Sequence, residues 1–207
     1  MTLRTYQSLR NRSYLLLKRA FDVILAALGI AVLLPFLPLV AVLIKLDSRG
    51  PVFFKQERLG QNGELFTLYK LRTMVENAGG IKNPDGSCFV AKNDARLTRV
   101  GRFLRDYSLD ELPQLLNILK GDMSVVGPRP DTPGAPGLDG ELFQKKRLVK
   151  PGLTSLASIH GRNAIPWGER VAWELKYVDN VSWKLDLYIL FKTVFLVIRR
   201  EGIYSPD

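Results

Sequence analysis

An uncharged segment near the N-terminus constrains the fold of this chain more than any other feature. The 22 residues from Val23 to Ile44 include no formally charged side chain. As an α-helix, such a segment is long enough to cross the hydrocarbon core of a bilayer, which is about 30 Å thick. A cleavable signal peptide fits the basic residues upstream, but the segment is too long and lacks a small-residue cleavage site after Ile44. The sequence therefore predicts a segment embedded in a membrane.

Two features of this segment bear on whether it spans the membrane or returns to the side it entered. Pro35 lies in the middle of the run and Pro38 follows closely, and an interior proline kinks a helix. Basic residues flank the run on both sides, which is typical of cytoplasmic flanks. We therefore predict a helix that is broken near Pro35 and re-enters the same face, with a spanning helix as the open alternative. The chain is then a basic tail and membrane-embedded helix at 1–46, followed by a cytoplasmic domain at 47–207.

Composition narrows the partners and excludes several kinds of site. The formal net charge of +10 indicates a polyanionic partner, which could be nucleic acid, anionic lipid or a phosphorylated small molecule. Cys88 is the only cysteine and His160 the only histidine, which excludes disulfide frameworks, zinc-finger ligand sets and Cys/His catalytic pairs within one chain. A chain of 207 residues accommodates one core-forming domain with an anchor, so we expect a single active site.

The remainder of the chain has the pattern of an α+β domain that is mainly helical. Two short extended segments, Pro51–Phe54 and Leu65–Tyr69, flank a glycine-containing turn and predict a small β-hairpin. A loop is predicted at Gly79–Ser87 and an irregular segment at Pro128–Gly140. Helices are predicted from Asp94, as the N-cap, to about Arg105, and at Glu111–Lys120, Glu169–Val178 and Trp183–Arg200.

The last of these helices is unusually apolar. Between Leu187 and Ile198, Lys192 is the only charged residue. The helix is too short to span a bilayer and too apolar for an ordinary surface helix. Two interpretations stay open: a buried core helix, or an amphipathic helix docked on the membrane interface, which Trp183 and Arg199 near its ends favour.

The adjacent carboxylates Asp110 and Glu111 are the strongest candidates for chemistry. Ser108 precedes Glu111 by three residues, so a helix capping box explains the same pattern without a catalytic role. Pro113 fits a cap nearer Asp110 better, and both carboxylates would then lie at the mouth of the helix. The residues alone leave the structural and the catalytic interpretation open.

Arginines flank this carboxylate pair in the sequence. Arg105 ends a series of arginines at every third position upstream, and Arg129 lies downstream between two prolines. A guanidinium held in a stiff turn can bind phosphate through two parallel hydrogen bonds. Carboxylates near fixed arginines suit a magnesium-assisted attack on a diphosphate, because Mg²⁺ prefers oxygen ligands and substrate phosphates. Surface ion pairing explains most of the arginines equally well.

Four segments of the chain together resemble the signatures of a known family. They are Tyr69-Lys70-Leu71-Arg72-Thr73-Met74, Ser108-Leu109-Asp110-Glu111-Leu112-Pro113-Gln114, the run from Asn117 to Pro130, and Pro151-Gly152-Leu153-Thr154. The family is the monotopic phosphoglycosyl transferases, which are bacterial sugar transferases. The resemblance extends from about Lys18 to Arg200, and the short chain resembles the minimal catalytic form.

The resemblance implies a two-step transfer of a sugar phosphate. Asp110 matches the aspartate that attacks the β-phosphorus of a UDP-sugar, releases UMP and holds the sugar phosphate until polyprenyl (undecaprenyl) phosphate accepts it. Glu111 matches the second member of the dyad, and both carboxylates are expected to bind Mg²⁺. The resemblance also implies phosphate or substrate binding at Lys70, Arg72, Arg105, Arg129 and Arg162.

The expected location is the bacterial inner (cytoplasmic) membrane, with the catalytic domain on the cytoplasmic face. The expected partners are a UDP-sugar, polyprenyl phosphate and membrane lipid, without nucleic acid, and a homo-oligomer stays open. Two positions depart from the family: Leu34-Pro35 stands where Ser-Pro is common, and His160 stands where an amide is expected. Two functional alternatives remain, direct transfer in a ternary complex and a basic membrane-anchored binding protein without catalysis. The sequence does not indicate which sugar is transferred.

Overall fold

The computed structural model describes residues 12–76, 78, 93–134 and 140–204. The predicted loop at Gly79–Ser87 lies outside the described residues, as do residues 135–139 of the predicted irregular segment. The α-helices are α1 (Arg12–Leu33), α2 (Leu37–Asp47), α3 (Arg99–Asp106), α4 (Leu115–Lys120), α5 (Glu141–Lys146), α6 (Trp167–Asn180) and α7 (Trp183–Arg199). The strands are β1 (Phe53–Leu59), β2 (Leu65–Leu71), β3 (Ser124–Val126) and β4 (Gly152–Thr154). The α+β class with mainly helical content is confirmed.

The predicted β-hairpin is present, although its first strand is shifted along the chain. β1 and β2 pair antiparallel in a register that places Phe53 opposite Leu71 and Leu59 opposite Leu65. The turn between them needs positive φ at Asn62, an angle that asparagine and glycine adopt more readily than other residues. The sequence placed the first strand too early because the charged residues of β1 do not show a strong apolar alternation.

A second, parallel pair of strands was not predicted. Ser124 of β3 lies opposite Gly152 of β4, and Val126 lies opposite Thr154. Each strand is only three residues long, too short for a periodic pattern to reveal it. The main core cluster includes β3 and the following buried side chains: Ala26, Leu68, Leu115, Ile118, Met123, Val125, Val126, Leu156, Tyr177 and Ile189.

The prediction that Asp94 caps a helix was wrong. The Asp94 carboxylate instead accepts a hydrogen bond from the Arg96 amide at 2.9 Å, which forms a turn. The helix α3 begins at Arg99, and the Thr98 hydroxyl caps it by accepting from the Gly101 amide at 2.9 Å. Before α3, Leu97 forms an isolated antiparallel bridge with Met74, and this pairing replaces the predicted helical turn.

The uncharged N-terminal segment forms two helices that meet at an angle. α1 and α2 are bent by 64° at residues 34–36, where the Phe36 amide donates to the Leu33 carbonyl at 3.1 Å. Pro38 lies in the first turn of α2, where its missing N–H costs little. The predicted break near Pro35 is confirmed. Among the described residues, no single helix reaches the length and apolar composition of a span, whereas this bent pair does so jointly, as a broken span or a re-entrant loop would.

The first half of α1 is fastened to the rest of the protein by polar contacts. The Asp186 carboxylate on α7 accepts from the Tyr14 hydroxyl and the Lys18 ammonium, each at 2.8 Å. Further along α1, the Asp22 carboxylate accepts from the Val125 amide of β3 at 2.9 Å. Charged groups on α1 therefore bind the same domain that contains β3 and α7.

The C-terminal end of α2 contacts the same domain. Arg72, which follows β2, donates to the Ser48 carbonyl at 2.9 Å and to the Ile44 carbonyl at 3.3 Å. The Asp47 carboxylate accepts from the Val100 amide at the start of α3 at 2.8 Å. Both ends of the bent pair are thus held against one folded unit.

The apolar helix α7 is not buried on all sides. Ile189 is fully buried, but Leu187, Phe191 and Ile198 are 53%, 66% and 69% exposed. The interpretation of α7 as a wholly buried core helix is therefore wrong. The bent pair exposes comparable side chains, such as Leu46 at 80%.

Candidate active site

The carboxylate pair lies on a short turn of 3-10 helix, Leu109–Gln114, which we call the dyad turn. Ser108 precedes it in the left-handed conformation, with φ of 56°, and this separates the turn from α3. Ser108 makes no capping hydrogen bond with its side chain, so the interpretation of this segment as a capping box is wrong. Pro113 lies inside the turn, and the regular α-helix α4 begins only at Leu115. The predicted helix from Glu111 therefore begins four residues later than expected.

Lys70 on β2 reaches one of the two carboxylates. Its ammonium lies 2.6 Å from Glu111 Oε1, and the two side chains are 18% and 20% exposed. The strand that carries Lys70 is fixed by the fully buried Asn117, whose amide group accepts from the Tyr69 amide at 3.2 Å and donates to the Thr67 carbonyl at 2.7 Å. Lys70 therefore pairs with Glu111 rather than with the neighbouring Asp110.

The two carboxyl groups have opposite pKa shifts. Burial raises the pKa of Asp110 from 3.8 to about 6; Glu111 adds to this rise, whereas Lys70 and Arg105 oppose it. Burial also disfavours the charged form of Glu111, but Lys70 and the arginines of the site outweigh it and lower the pKa to about 2. Glu111 is thus ionised and paired with Lys70, and Asp110 is the more basic of the two carboxylates.

Arg105 lies on the α3 side of Asp110. α3 approaches Thr73 so closely that a Cβ on residue 101 would lie 2.0 Å from the Thr73 carbonyl oxygen, and Gly101 avoids this clash. This contact lets Arg105 Nη2 donate to Thr73 Oγ1 at 3.1 Å. Within the part of the chain that the structure describes, Arg105 Nη1 is buried without a hydrogen-bond partner. It is a donor available to an anion.

Arg162 contacts Ser108, the residue that precedes the dyad turn. The residue is left-handed, with φ of 52°, and its Nη2 donates to Ser108 Oγ at 2.7 Å. Its Nη1 is buried and has no hydrogen-bond partner among the described residues. Burial lowers the pKa of Arg162, whereas Glu111 and Asp110 oppose that shift. A second donor is therefore available at the carboxylates.

Arg129 supplies a third guanidinium. Its side chain is exposed, and its charge lowers the pKa of Glu111. Its backbone amide donates to Glu174 Oε1 at 3.1 Å. The structure thus brings Lys70, Arg105, Arg129 and Arg162 to the dyad, and their binding of phosphate or substrate stays a prediction.

The prediction that Arg72 binds substrate is not supported by its position. Arg72 is 7% exposed, and its guanidinium donates to the carbonyl oxygens of Ile44, Ser48 and Arg49 at the end of α2. The Ile44 carbonyl also accepts from the Ser48 amide at 3.2 Å, whereas Ser48 and Arg49 follow the last helical residue, so Arg72 caps the C-terminal end of α2. In a strand, residues two positions apart lie on the same face, which would place Arg72 beside Lys70. Arg72 lies beyond the last residue of β2, so this alternation does not apply to it.

A cleft of about 350 Å³ opens beside the dyad. Its lining residues are Arg58, Leu68, Lys70, Glu111, Gln114, Arg129, Pro130, Gly152, Leu153, Thr154, Ser155 and Ser158. The sequence did not indicate Arg58, Ser155 or Ser158, because isolated polar residues without a motif carry no signal. Gln114 and Thr154 stand in two of the four signature segments and could have been found there. His160 stacks on Trp173 at 3.7 Å and its Nδ1 contacts the Leu156 carbonyl at 2.8 Å, which is a structural arrangement.

Asp110 and Glu111 form too small a group to enclose a metal ion alone. Within the described residues, no group of three or more His, Cys, Asp or Glu side chains could hold a metal. Mg²⁺ is commonly bound by one or two carboxylates together with substrate phosphates and water. The adjacent carboxylates fit that shared kind of site and do not fit a cage made by the protein alone.

Comparison with known proteins finds consistent similarity along the chain. Residues 13–200 match the family model described as bacterial sugar transferase. An uncharacterized sugar transferase of Bacillus subtilis is 43% identical over 193 residues, which is 93% of each chain. The undecaprenyl-phosphate galactose phosphotransferase of Salmonella typhimurium is 38% identical over 99% of this chain and 45% of its own length. The UDP-N-acetylgalactosamine-undecaprenyl-phosphate N-acetylgalactosaminephosphotransferase of Aeromonas hydrophila is 38% identical over 91% of this chain, and it too is covered over 45% of its length.

Proposed function

This chain belongs to the bacterial sugar transferase family, and we propose that it transfers a sugar 1-phosphate from a UDP-sugar to polyprenyl phosphate, with release of UMP. Two similar proteins are named as phosphotransferases that act with undecaprenyl phosphate, which supports this class of acceptor. One observation carries the proposal. Two adjacent carboxylates with opposite pKa shifts lie near Arg105 and Arg162, each of which has a buried Nη1 without a hydrogen-bond partner among the described residues.

Asp110 is the nucleophile of the proposed reaction. Its carboxylate oxygen attacks the β-phosphorus of the UDP-sugar, and the bond from that phosphorus to the bridging oxygen breaks, so that UMP leaves with the electron pair. An oxygen of polyprenyl phosphate then attacks the same phosphorus, and the Asp110 carboxylate leaves. The raised pKa of about 6 makes Asp110 the more basic carboxylate, yet leaves it mostly ionised at pH 7. Glu111 is less suited to attack because Lys70 holds it at 2.6 Å.

The arginines stabilise the charge of the diphosphate. Arg105 Nη1 and Arg162 Nη1 are buried donors without a hydrogen-bond partner among the described residues, so a phosphate oxygen that reaches either nitrogen gains a charge-assisted hydrogen bond and breaks none. Arg129, which is exposed at the cleft, adds a planar guanidinium that can bind two phosphate oxygens. Donors fixed before the reaction stabilise developing negative charge in the transition state.

Asp110 and Glu111 would hold Mg²⁺ together with the substrate phosphates. When bound there, the ion neutralises phosphate charge and polarises the phosphorus–oxygen bonds. The protein side chains keep separate tasks, since Lys70 orients Glu111 and the buried environment keeps Asp110 basic.

The contacts at both ends of the bent helix pair support a re-entrant membrane segment. Asp22 and Lys18 on α1 bind β3 and α7, while Asp47 at the end of α2 binds the start of α3. One folded domain cannot lie on both sides of a bilayer, so both ends belong to the same side if the pair enters the membrane. The exposed apolar face of α7 then rests on the membrane interface. We place the catalytic domain on the cytoplasmic face of the bacterial inner membrane.

The test of the proposal is incubation of the purified protein with UDP-sugars and Mg²⁺ in the absence of lipid. We expect UMP release and an intact-protein mass increased by one sugar phosphate, which maps to Asp110. Turnover that requires lipid, with no mass increase and no UMP release in its absence, favours direct transfer in a ternary complex. Salt-sensitive binding of nucleic acid without any turnover favours the binding protein.

A further inference from the structure

Lys146 is a charged residue in the protein interior, away from the carboxylate dyad. Its ammonium lies 2.6 Å from Asp131 Oδ1 and 2.7 Å from Glu174 Oε2. The three side chains are 6%, 12% and 2% exposed. Because removing charges from water costs more than most ion pairs return, a buried cluster of this kind is poorly explained by stability alone. The cluster instead fixes the relative positions of the elements that it joins.

The cluster joins two helices to the loop that presents Arg129. Lys146 ends α5, Glu174 lies on α6, and Asp131 follows Arg129 by two residues. The second oxygen of the Glu174 carboxylate accepts from the Arg129 backbone amide at 3.1 Å. One carboxylate therefore binds the buried ammonium with one oxygen and the Arg129 backbone with the other.

The opposite side of the same loop is held by β1. Arg58 donates to the Pro130 carbonyl at 3.2 Å, and the Leu59 amide donates to the Asp131 carbonyl at 2.9 Å. The loop from Gly127 to Asp131 has no helix or long strand to define its path. The Gly127 amide and the Pro128 carbonyl are hydrogen-bonded to β4, and from Arg129 onward the loop is held between β1 and α6 by these side-chain and backbone contacts.

We propose that Lys146 and Glu174 are positioning residues for Arg129, which hold its backbone so that the guanidinium faces the dyad. The inference rests on the proposed function. Lys146 orients the Glu174 carboxylate and ties it to Asp131, and Glu174 in turn fixes the Arg129 amide. A displacement of about 1 Å of a substrate-gripping group can lower the rate about a hundredfold, so the cluster influences catalysis without touching substrate.

The first variant to measure is Glu174→Gln, which is nearly isosteric and removes the charge. We expect kcat/KM for UMP release to fall about tenfold or more, because the Arg129 amide and Lys146 lose their shared charged acceptor. Lys146→Met should behave in the same direction, although it removes the ammonium that two buried carboxylates share and lowers thermal stability. Lys145→Met is the matched control, since Lys145 forms an exposed pair with Asp179 at 2.7 Å, and its kcat/KM should stay within about twofold.

A double-mutant cycle separates positioning from a general loss of stability. In an Arg129→Lys background the planar guanidinium is already absent, so adding Glu174→Gln should lower kcat/KM by less than about twofold. A structural role would give the same loss in both backgrounds. Equal losses, or wild-type kinetics in Glu174→Gln, would overturn the proposal. If the wild-type protein releases no UMP, the proposed function has failed, and the same cycle is measured on the affinity for inorganic pyrophosphate, with the same two outcomes.

Discussion

Replacing Asp110 by asparagine should abolish activity and stabilise the protein at the same time. The Asp110 side chain is 6% exposed, and its pKa rises from 3.8 to about 6 on folding. The folded state therefore binds the proton more tightly than the unfolded chain does. The cost of ionising Asp110 is absent below pH 3.8, grows between pH 3.8 and about 6, and is complete above that range.

The size of this cost follows from the two pKa values. A difference of one pKa unit corresponds to about 1.4 kcal/mol, so the rise to about 6 corresponds to about 3 kcal/mol at pH 8. Asparagine resembles the neutral acid in size and hydrogen bonding and carries no charge at any pH. For a chain of this length, about 3 kcal/mol raises the thermal midpoint by roughly 6 to 12 °C.

The assay is thermal unfolding of wild type and Asp110→Asn in the same detergent at pH 4 and pH 8, with UMP release measured in parallel. We expect the variant to unfold at a higher temperature at pH 8, to match wild type near pH 4, and to release no UMP. Asp179→Asn is the control, because that side chain is 51% exposed and its neutralisation should change the midpoint little. A variant that is equal to or less stable than wild type at pH 8 refutes the reasoning, since burial would then impose no cost on the carboxylate.

Three further predictions concern the remaining parts of the site and the anchor. Lys70→Met removes the charge that most strongly lowers the pKa of Asp110. In a profile of UMP release against pH, the pH at which activity rises should therefore move above about pH 6, and an unchanged profile contradicts this role of Lys70. Arg129→Lys loses the planar fork and should slow turnover by roughly ten- to a hundredfold, which corresponds to about 1.5 to 3 kcal/mol, whereas wild-type kinetics would make it a surface residue. Two variants carry the single cysteine of the chain either before Tyr14 or after Lys45, and intact cells are treated with a thiol reagent that does not cross the membrane. Both flanks of a re-entrant segment lie inside the cell, so the reagent should label neither variant. Labelling of only one variant excludes the re-entrant segment.

The sequence predicted the features that depend on neighbouring residues. Proline cannot continue a helix without a kink, so the break near Pro35 could be read locally, and the bend of 64° is observed there. Asn62 and the glycines beside it indicated the hairpin turn for the same reason, because few other residues accept positive φ. The carboxylate pair and its arginines were found through linked segments of sequence, and four of the five predicted basic residues do surround the dyad.

Only the tertiary structure decided which charged group binds which. Lys70 and Glu111 are 41 residues apart, and nothing in either segment specifies that the ammonium reaches Glu111 and leaves Asp110 the more basic carboxylate. Arg72 stands two residues from Lys70, yet it caps α2, because the strand ends between them and the chain turns towards the carbonyls of Ile44 and Ser48. Helix and strand patterns describe the period of one element, whereas burial and ion pairing depend on distances between elements that are far apart in the chain. The chemistry assigned to Asp110 therefore depends on a tertiary arrangement that its local sequence could only indicate.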